Sequence, residues 1–388
     1  MGTSGFWSFY HSLIKTVPIS QINGRITFVD IILYIHKYVI GIRKSGSDIK
    51  TRDGRNIIHL FALTKIIKNF TDHNILPICI FDGKSPSAKS ESIGKRRELI
   101  ELSKERCEEL RGAHSGDTTE YIKHFKRSFN ITNEMLNDCR EYLTLAGIPF
   151  INSIGEADPQ CAGMSHYYSN VNSGVFSEDS DILLYGAPNL IKDLDLRTNC
   201  VSIIYMKDIL NFLQEKADYI STKYGIDRQV ICRQHLIDFS VIMGNDYCSG
   251  IRCSGNFRDR MFELFVLSEF NFEIFIEMIN TINEKKIKFY IPENFSKKWY
   301  ESREIYNNVD IINPSLIDIR MKRINSKNLR KFLEKYDFRN DVIEHITSSL
   351  QNLYVYFDNA IIFKQPEKDD EWKDDEWKVV KRKKIDSH

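Results

Sequence analysis

The chain has 388 residues, of which 42% are hydrophobic, 12% aromatic and 28% charged. That balance supports a packed core in two domains, or in one large α/β domain with insertions, and excludes a mostly disordered or fibrous polypeptide. With 54 Lys and Arg against 53 Asp and Glu the formal net charge is +1, so no global basicity announces a nucleic-acid partner and any such partner must be held by local patches.

In chain order, residues 2–24 alternate polar and apolar types without the apolar core of a secretory leader, and Phe6 stands where a myristoylation signal needs Ser or Thr. The run from Ile26 to Ile42 approaches membrane-spanning length but carries Asp30, His36 and Lys37, which predicts a buried strand followed by a helix and no membrane span. Short β-branched runs at Ile26–Val29, Leu76–Phe81, Ile148–Ile151, Val175–Phe176 and Val201–Tyr205 read as strands separated by segments of helical length. Such alternation predicts an α/β fold on a mostly parallel sheet with right-handed crossovers, its sites beyond the carboxyl ends of the strands.

Residues 93–111 form a strongly charged helix, Tyr121–Phe129 is basic and aromatic together, and a capped helix runs from Thr132 or Asn133 to Ile148, so 93–131 reads as an excursion from the sheet. Further helices are predicted over Arg228–Met243, Lys327–Tyr336 and Arg339–Leu350, and the aromatic-rich stretch Met261–Ile282 is expected to pack on the core. A tandem DDEWK repeat (Asp369–Lys378) and a Lys-Arg-Lys-Lys run at 381–384 predict a disordered charged tail, the basic run doubling as a candidate nuclear-localisation signal. The eight cysteines contain no CxxC pair, which points to a reducing compartment and gives no zinc pattern. The expected division is 1–104 and 132–260 as an α/β core, 105–131 as an inserted cap, 261–360 as a helical region and 361–388 as tail.

Five short motifs deliver carboxylates where such a sheet would present them: Val29-Asp30, Phe81-Asp82-Gly83, Glu156-Ala157-Asp158, Asp179-Ser180-Asp181 and Asn245-Asp246. Residues two apart in an extended segment point the same way, so Glu156 with Asp158 and Asp179 with Asp181 can each aim two carboxylates at one spot, whereas Glu178 points opposite to Asp179 and is excluded. Any one such acid alone is more often a helix cap. Seven clustered carboxylates, however, repel unless cations neutralise them, and an all-oxygen set suits Mg²⁺ or Mn²⁺. Two such ions about 4 Å apart activate water and stabilise the leaving oxygen in phosphodiester hydrolysis.

On these residues the chain resembles the flap endonuclease family of structure-specific 5′ nucleases, the group that includes the XPG repair nuclease. The matching stretches are Met1-Gly2-Thr3-Ser4-Gly5-Phe6-Trp7, Phe81-Asp82-Gly83-Lys84-Ser85-Pro86, Ala146-Gly147-Ile148-Pro149, Glu156-Ala157-Asp158, Glu178-Asp179-Ser180-Asp181 and Met243-Gly244-Asn245-Asp246-Tyr247-Cys248. The resemblance spans Met1 to about Arg258 and continues more weakly to about Leu350. It implies a PIN-like nuclease core with a helical arch and a helix-two-turn-helix, and Mg²⁺-dependent cleavage of 5′ flap or branched DNA in replication, recombination or repair. It also implies a first metal on Asp30, Asp82, Glu156 and Asp158, a second around Asp179, Asp181 and Asp246, and Lys89 and Arg96 reaching the scissile phosphate. Gly2, Lys123, Lys126, Arg127, Arg252, Gly255 and Arg258 would meet DNA.

Departures are informative. The glycine-rich turn that grips duplex DNA in the family is here Cys253-Ser254-Gly255-Asn256-Phe257-Arg258, keeping only Gly255 and Arg258, and His36 replaces a base-stacking Tyr, with an ordinary helix histidine as the alternative. The sliding-clamp motif has no clear match. Leu350–Phe357 keeps its hydrophobic and aromatic spacing without the Gln, which a core-packed helix explains equally well. The expected product is a monomeric endonuclease, possessing 5′ exonuclease activity as well, in the nucleus, or the host nucleus of a large DNA virus, or at a cytoplasmic replication site. A non-catalytic DNA-binding scaffold and a nuclease of gap, junction or RNA specificity stand as alternatives.

Overall fold

The computed structural model describes residues 2–84, 89–112, 118–169, 172–195, 198–253, 257–285 and 289–358. The chain opens with helix α1 (Phe6–Phe9) and strand β1 (Lys15–Pro18), followed by β2 (Ile26–Asp30), α2 (Ile31–Ile42), α3 (Ile58–Thr71) and β3 (Leu76–Phe81). Helices α4 (Ser90–Gly112), α5 (Thr118–Arg127) and α6 (Asn133–Ala146) lead to β4 (Phe150–Asn152), α7 (Ala157–Tyr167) and β5 (Ser173–Phe176). Then come α8 (Asp181–Leu184), β6 (Asn189–Asp195), β7 (Cys200–Tyr205), α9 (Met206–Tyr224) and α10 (Arg233–Met243). The described remainder supplies α11 (Phe257–Leu267), α12 (Phe272–Lys285), α13 (Phe295–Asn307), α14 (Ser326–Lys335) and α15 (Asn340–Asp358).

The elements divide between two compact units, Met1–Pro18 with Glu178–Asn313, and Ile19–Ser177 with the helices after Pro314. In the second unit the strand order is β5-β2-β3-β4 and each neighbouring pair is parallel. β2 and β3 are buried at every position, which is why ITFVD and LPICIF read as continuous apolar runs rather than alternating ones. Helices α2, α3 and α7 cover these strands, while α14 packs on α6 and α15 on α3. A buried polar knot ties that last layer down: Asp138 on α6 accepts from Tyr336 Oη at 2.7 Å and Arg55 at 3.2 Å and pairs with His59 Nε2 at 3.2 Å. Leu350, Leu353 and Phe357 of α15 are core residues.

In the first unit β1, β7 and β6 lie antiparallel in that order, Lys15 opposite Ile203 and Asn189 opposite Tyr205. Helices α9, α10 and α11 pack together, and α13 brings Trp299 against Phe265 and Phe272.

The sequence reading holds for β2, β3, β5 and β7, for α6 with its Thr132 cap (Met135 N–H to Thr132 Oγ1, 3.2 Å), and for the strand-then-helix reading of Ile26–Ile42. No described helix is long and apolar enough to cross a membrane. Several boundaries differ. The predicted strand at 148–151 is β4 at Phe150–Asn152, because Gly147 ends α6 in the left-handed region and the chain needs Ile148 and Pro149 to turn back into the sheet. Strands β1 and β6 were not foreseen. Their Lys and Asp residues, and Pro18 in β1, hide the apolar pattern, and they make part of the strand set antiparallel. The helix expected from Arg228 starts at Arg233, since the Gln214 side chain binds both the Gln229 carbonyl and the Ile231 N–H and holds 229–231 out of helix. The aromatic-rich stretch 261–282 lies in two helices, α11 and α12, separated where Glu269 and Phe270 take φ of 52° and 59°. Residues 359–388, with the DDEWK repeat and the basic run, lie outside the described residues.

Candidate functional site

In the second unit the parallel register sets Asp30 opposite Ile80, so Asp30 closes β2 and Asp82 follows directly on the end of the neighbouring β3. The loop after β3 lies against the loop after β4: Gly83 N–H donates to the Gly155 carbonyl at 2.7 Å and Lys84 N–H to Ile154 at 3.0 Å. A Cβ at position 83 would stand 2.5 Å from the Ile154 carbonyl oxygen, so only glycine permits this approach. The approach carries Asp82 to the start of α7, where its Oδ1 accepts the Ala157 N–H at 2.8 Å. Glu156 is the N-cap of α7 and Asp158 lies in its first turn, where the helix end favours negative charge. Asp30 does the same for α2, accepting from Leu33 N–H at 3.2 Å.

Lys89 reaches Glu156 Oε2 at 2.9 Å, both side chains largely buried. Desolvation pushes the Asp82 carboxyl above its ordinary value and the Glu156 charge adds to the rise, while the Ala157 N–H, Lys89 and Arg96 oppose it. The buried Cys161 thiol, one turn beyond Asp158, is pushed well up by burial and then by the charges of Asp30, Asp158 and Asp82.

Beside α4, His36, Ile40, Arg96, Leu99, Ile100, Lys126, Arg127 and Phe129 line a cavity of about 350 Å³. His36 meets Phe129 edge-on at 5.2 Å, and Lys123 of the same basic segment is exposed. Burial and then the Arg96 charge push the His36 imidazole down to about 4 from 6.5. The unfolded chain therefore takes this proton first as pH falls. The contribution of neutral His36 to stability is complete above pH 6.5 and is lost on acidification from 6.5 to about 4. Urea unfolding across that window should show a shallower pH dependence for His36→Phe than for the unaltered chain.

In the first unit Asp179 and Asp181 are buried, at 5% and 3% exposure, whereas Asp246 is exposed in the loop after α10. The pairing of Asp179 with Asp181 comes from a turn and not from the extended segment expected: Asp179 Oδ1 accepts the N–H of Asp181, first residue of α8, at 3.0 Å. Likewise Glu156 and Asp158 straddle a helix start. Thr3 N–H donates to Ser180 Oγ at 3.0 Å, Thr3 Oγ1 to Asp181 Oδ1 at 3.3 Å, and Ser4 N–H to the Gly244 carbonyl at 2.7 Å. Gly2, at φ 86°, lies so close to Asp179 and Ser180 that a Cβ would clash with both side chains.

Asn245 Oδ1 accepts the N–H groups of Tyr247 and Cys248 and so shapes the loop that holds Asp246. Tyr306 of α13 donates to Asp181 Oδ2 at 2.7 Å. The sequence reading singled out neither Tyr306 nor the Thr3 contact: the first lies in a helix without a motif, and the second is a backbone and hydroxyl role that no pattern marks. Arg252 is exposed and its backbone pairs with Tyr290, while the Arg258 guanidinium lies against Gly5. Gly255 and Ser85–Ala88 lie outside the described residues.

Among the described residues no group of three or more carboxylate, His or Cys side chains forms a finished metal cage. The donor chemistry nonetheless fits Mg²⁺ or Mn²⁺. The acids offer only oxygen, and Asp82, Glu156 and Asp158 gather like charge at the start of α7, a cost that a cation relieves.

The XPG N-terminal domain matches residues 1–102 and the XPG I-region residues 147–246, together more than half of the chain. Flap endonuclease 1 of Nematostella vectensis is 27% identical over 320 residues, covering 82% of this chain and 78% of its own length, and that of Bos taurus is 25% identical over 326 residues, covering 83% and 78%. Among solved structures, the catalytic core of Rad2 in complex with DNA substrate superposes with a TM-score of 0.62 at 19% identity, over 90% of this chain and 100% of its own. The flap endonuclease-1 of Methanococcus jannaschii gives 0.60 at 22% identity, over 89% and 98%. With acids presented by strand ends and helix starts within both family regions, this chain belongs to the XPG family, the flap-endonuclease group of structure-specific DNA nucleases.

Proposed function

We propose that the chain is a Mg²⁺-dependent endonuclease that hydrolyses phosphodiesters at 5′ flaps of branched DNA. The observation that carries this reading is the crowding of Asp82, Glu156 and Asp158 at the N-terminal end of α7, with Asp82 bound to the Ala157 N–H and Lys89 drawn onto Glu156. In this reading Asp30, Asp82, Glu156 and Asp158 hold one ion, Asp179, Asp181 and Asp246 hold a second, and Mn²⁺ can replace Mg²⁺. When bound, such ions lower the pKa of a water and neutralise charge on the phosphate.

The chain's own residues do the rest. Lys89 leaves Glu156 to meet the scissile phosphate, and Arg96 supplies a second cation against the charge that develops there. His36, with Lys126 and Arg127 along the same cavity, offers a ring face and cations to an unpaired nucleotide, and Lys123 extends the backbone track. Arg252, Gly255 and Arg258 serve duplex backbone.

Purified protein incubated with 5′ flap, 3′ flap, nicked, gapped and four-way DNA should cut the 5′ flap with Mg²⁺ and nothing with EDTA. Absence of cleavage throughout, or cleavage indifferent to EDTA, overturns the reading, and preferential cutting of the four-way substrate moves it to junction resolution.

A further inference from the structure

Asp181 is the most enclosed of the seven acids, 3% exposed, and it is held from above by a residue 125 positions away in the chain. Tyr306 is itself 1% exposed and is packed against two other tyrosines, its ring 5.0 Å from that of Tyr185 and 5.5 Å from that of Tyr247. Those two neighbours bond to each other through their hydroxyls at 2.8 Å. The Tyr306 ring therefore cannot swing, and its O–H is aimed at Asp181 Oδ2 at 2.7 Å while Thr3 Oγ1 stands at Oδ1. A hydrogen bond to an ionised acceptor is stronger than one between neutral groups, and two donors on opposite oxygens fix the carboxylate plane. The remaining lone pairs then point in a set direction.

We infer that Tyr306 is a positioning residue: its phenol fixes the orientation of the Asp181 carboxylate and so pre-organises that carboxylate to ligate a divalent cation. The inference rests on the proposed assignment of Asp181 as a metal ligand. Partners that orient a metal's own ligands are typically worth about 10- to 100-fold in metal affinity. Tyr306→Phe keeps the ring and removes only the donor.

Mn²⁺ titration followed by electron paramagnetic resonance tests this on the full-length chain without DNA. Tyr306→Phe should bind Mn²⁺ about tenfold more weakly, and its 5′ flap cleavage should need correspondingly more Mg²⁺ for half-maximal rate, with saturating Mg²⁺ restoring most of kcat. In an Asp181→Asn background the same substitution should add little further loss, because the two side chains act as one unit. Unchanged Mn²⁺ affinity beside a lowered Tm would show a merely structural tyrosine and overturn the inference. Should Tyr306→Phe not fold, Mg²⁺ added to the unaltered chain carrying 13Cζ-labelled Tyr306 should shift that resonance and leave a label at Tyr10 unmoved. No shift at Tyr306 overturns the inference. An unaltered chain that binds no Mn²⁺ at all overturns the metal assignment itself, a separate result from weakened binding in the variant alone.

Discussion

Asp179→Asn is expected to lower Mg²⁺-dependent 5′ flap cleavage by about 10³-fold or more, equivalent to roughly 4 kcal/mol of transition-state stabilisation. The choice of Asn follows from the geometry. Asp179 Oδ1 accepts the Asp181 N–H, and an amide oxygen accepts it as well, so the turn into α8 survives while the charge disappears. Asp179 is buried next to Asp181, and removing one of two adjacent negative charges relieves repulsion in the metal-free protein. Thermal unfolding without metal should therefore leave Tm unchanged or raise it by a few degrees, as is common where a site trades stability for function. Quenched-flow or gel-based single-turnover cleavage, beside calorimetry of the same preparation, separates the two effects. Retained cleavage in a preparation shown free of other nucleases would remove Asp179 from the metal set.

Lys89→Ala is the second large effect, with kcat expected to fall about 10²- to 10³-fold at nearly constant KM, since a group that meets charge only as it develops contributes to the transition state and not to binding. In the structure without DNA this ammonium is spent on Glu156 at 2.9 Å, with both partners about 85% covered, so it is positioned at the acidic cluster rather than free on the surface of α4. Lys89→Arg keeps the charge with a different shape and should recover part of the rate. A KM effect alone, measured on the same 5′ flap substrate over a range of concentrations, would reduce Lys89 to a contact for the DNA backbone.

These expectations draw unequally on sequence and on fold. The fully apolar runs before Asp30 and Asp82 announced two buried parallel strands and, with them, acids at their carboxyl ends, because burial on both faces leaves no polar alternation to misread. The capped start of α6 was likewise legible, since caps are local, whereas its end, expected at Ile148, falls at Ala146 where Gly147 turns into the left-handed region. The x-D-x-D and E-x-D spacings assumed the wrong geometry: turns and helix starts, not extended chain, bring Asp179 near Asp181 and Glu156 near Asp158. Strands β1 and β6 stayed hidden because strands carrying charged residues look like loops until a partner strand is supplied.

By itself, then, the order of residues determined the strand ends, the acids upon them and the family to which they belong, all properties carried by short stretches whose hydrophobic pattern and spacing suffice. Only the tertiary structure decided that Gln214 delays the start of a helix to Arg233, that Lys89 settles on Glu156, and that Tyr306 takes hold of Asp181. Each of those is a hydrogen bond or ion pair of about 3 Å between distant parts of the chain, and its existence depends on how whole helices pack, to within a fraction of an ångström, which no local pattern encodes.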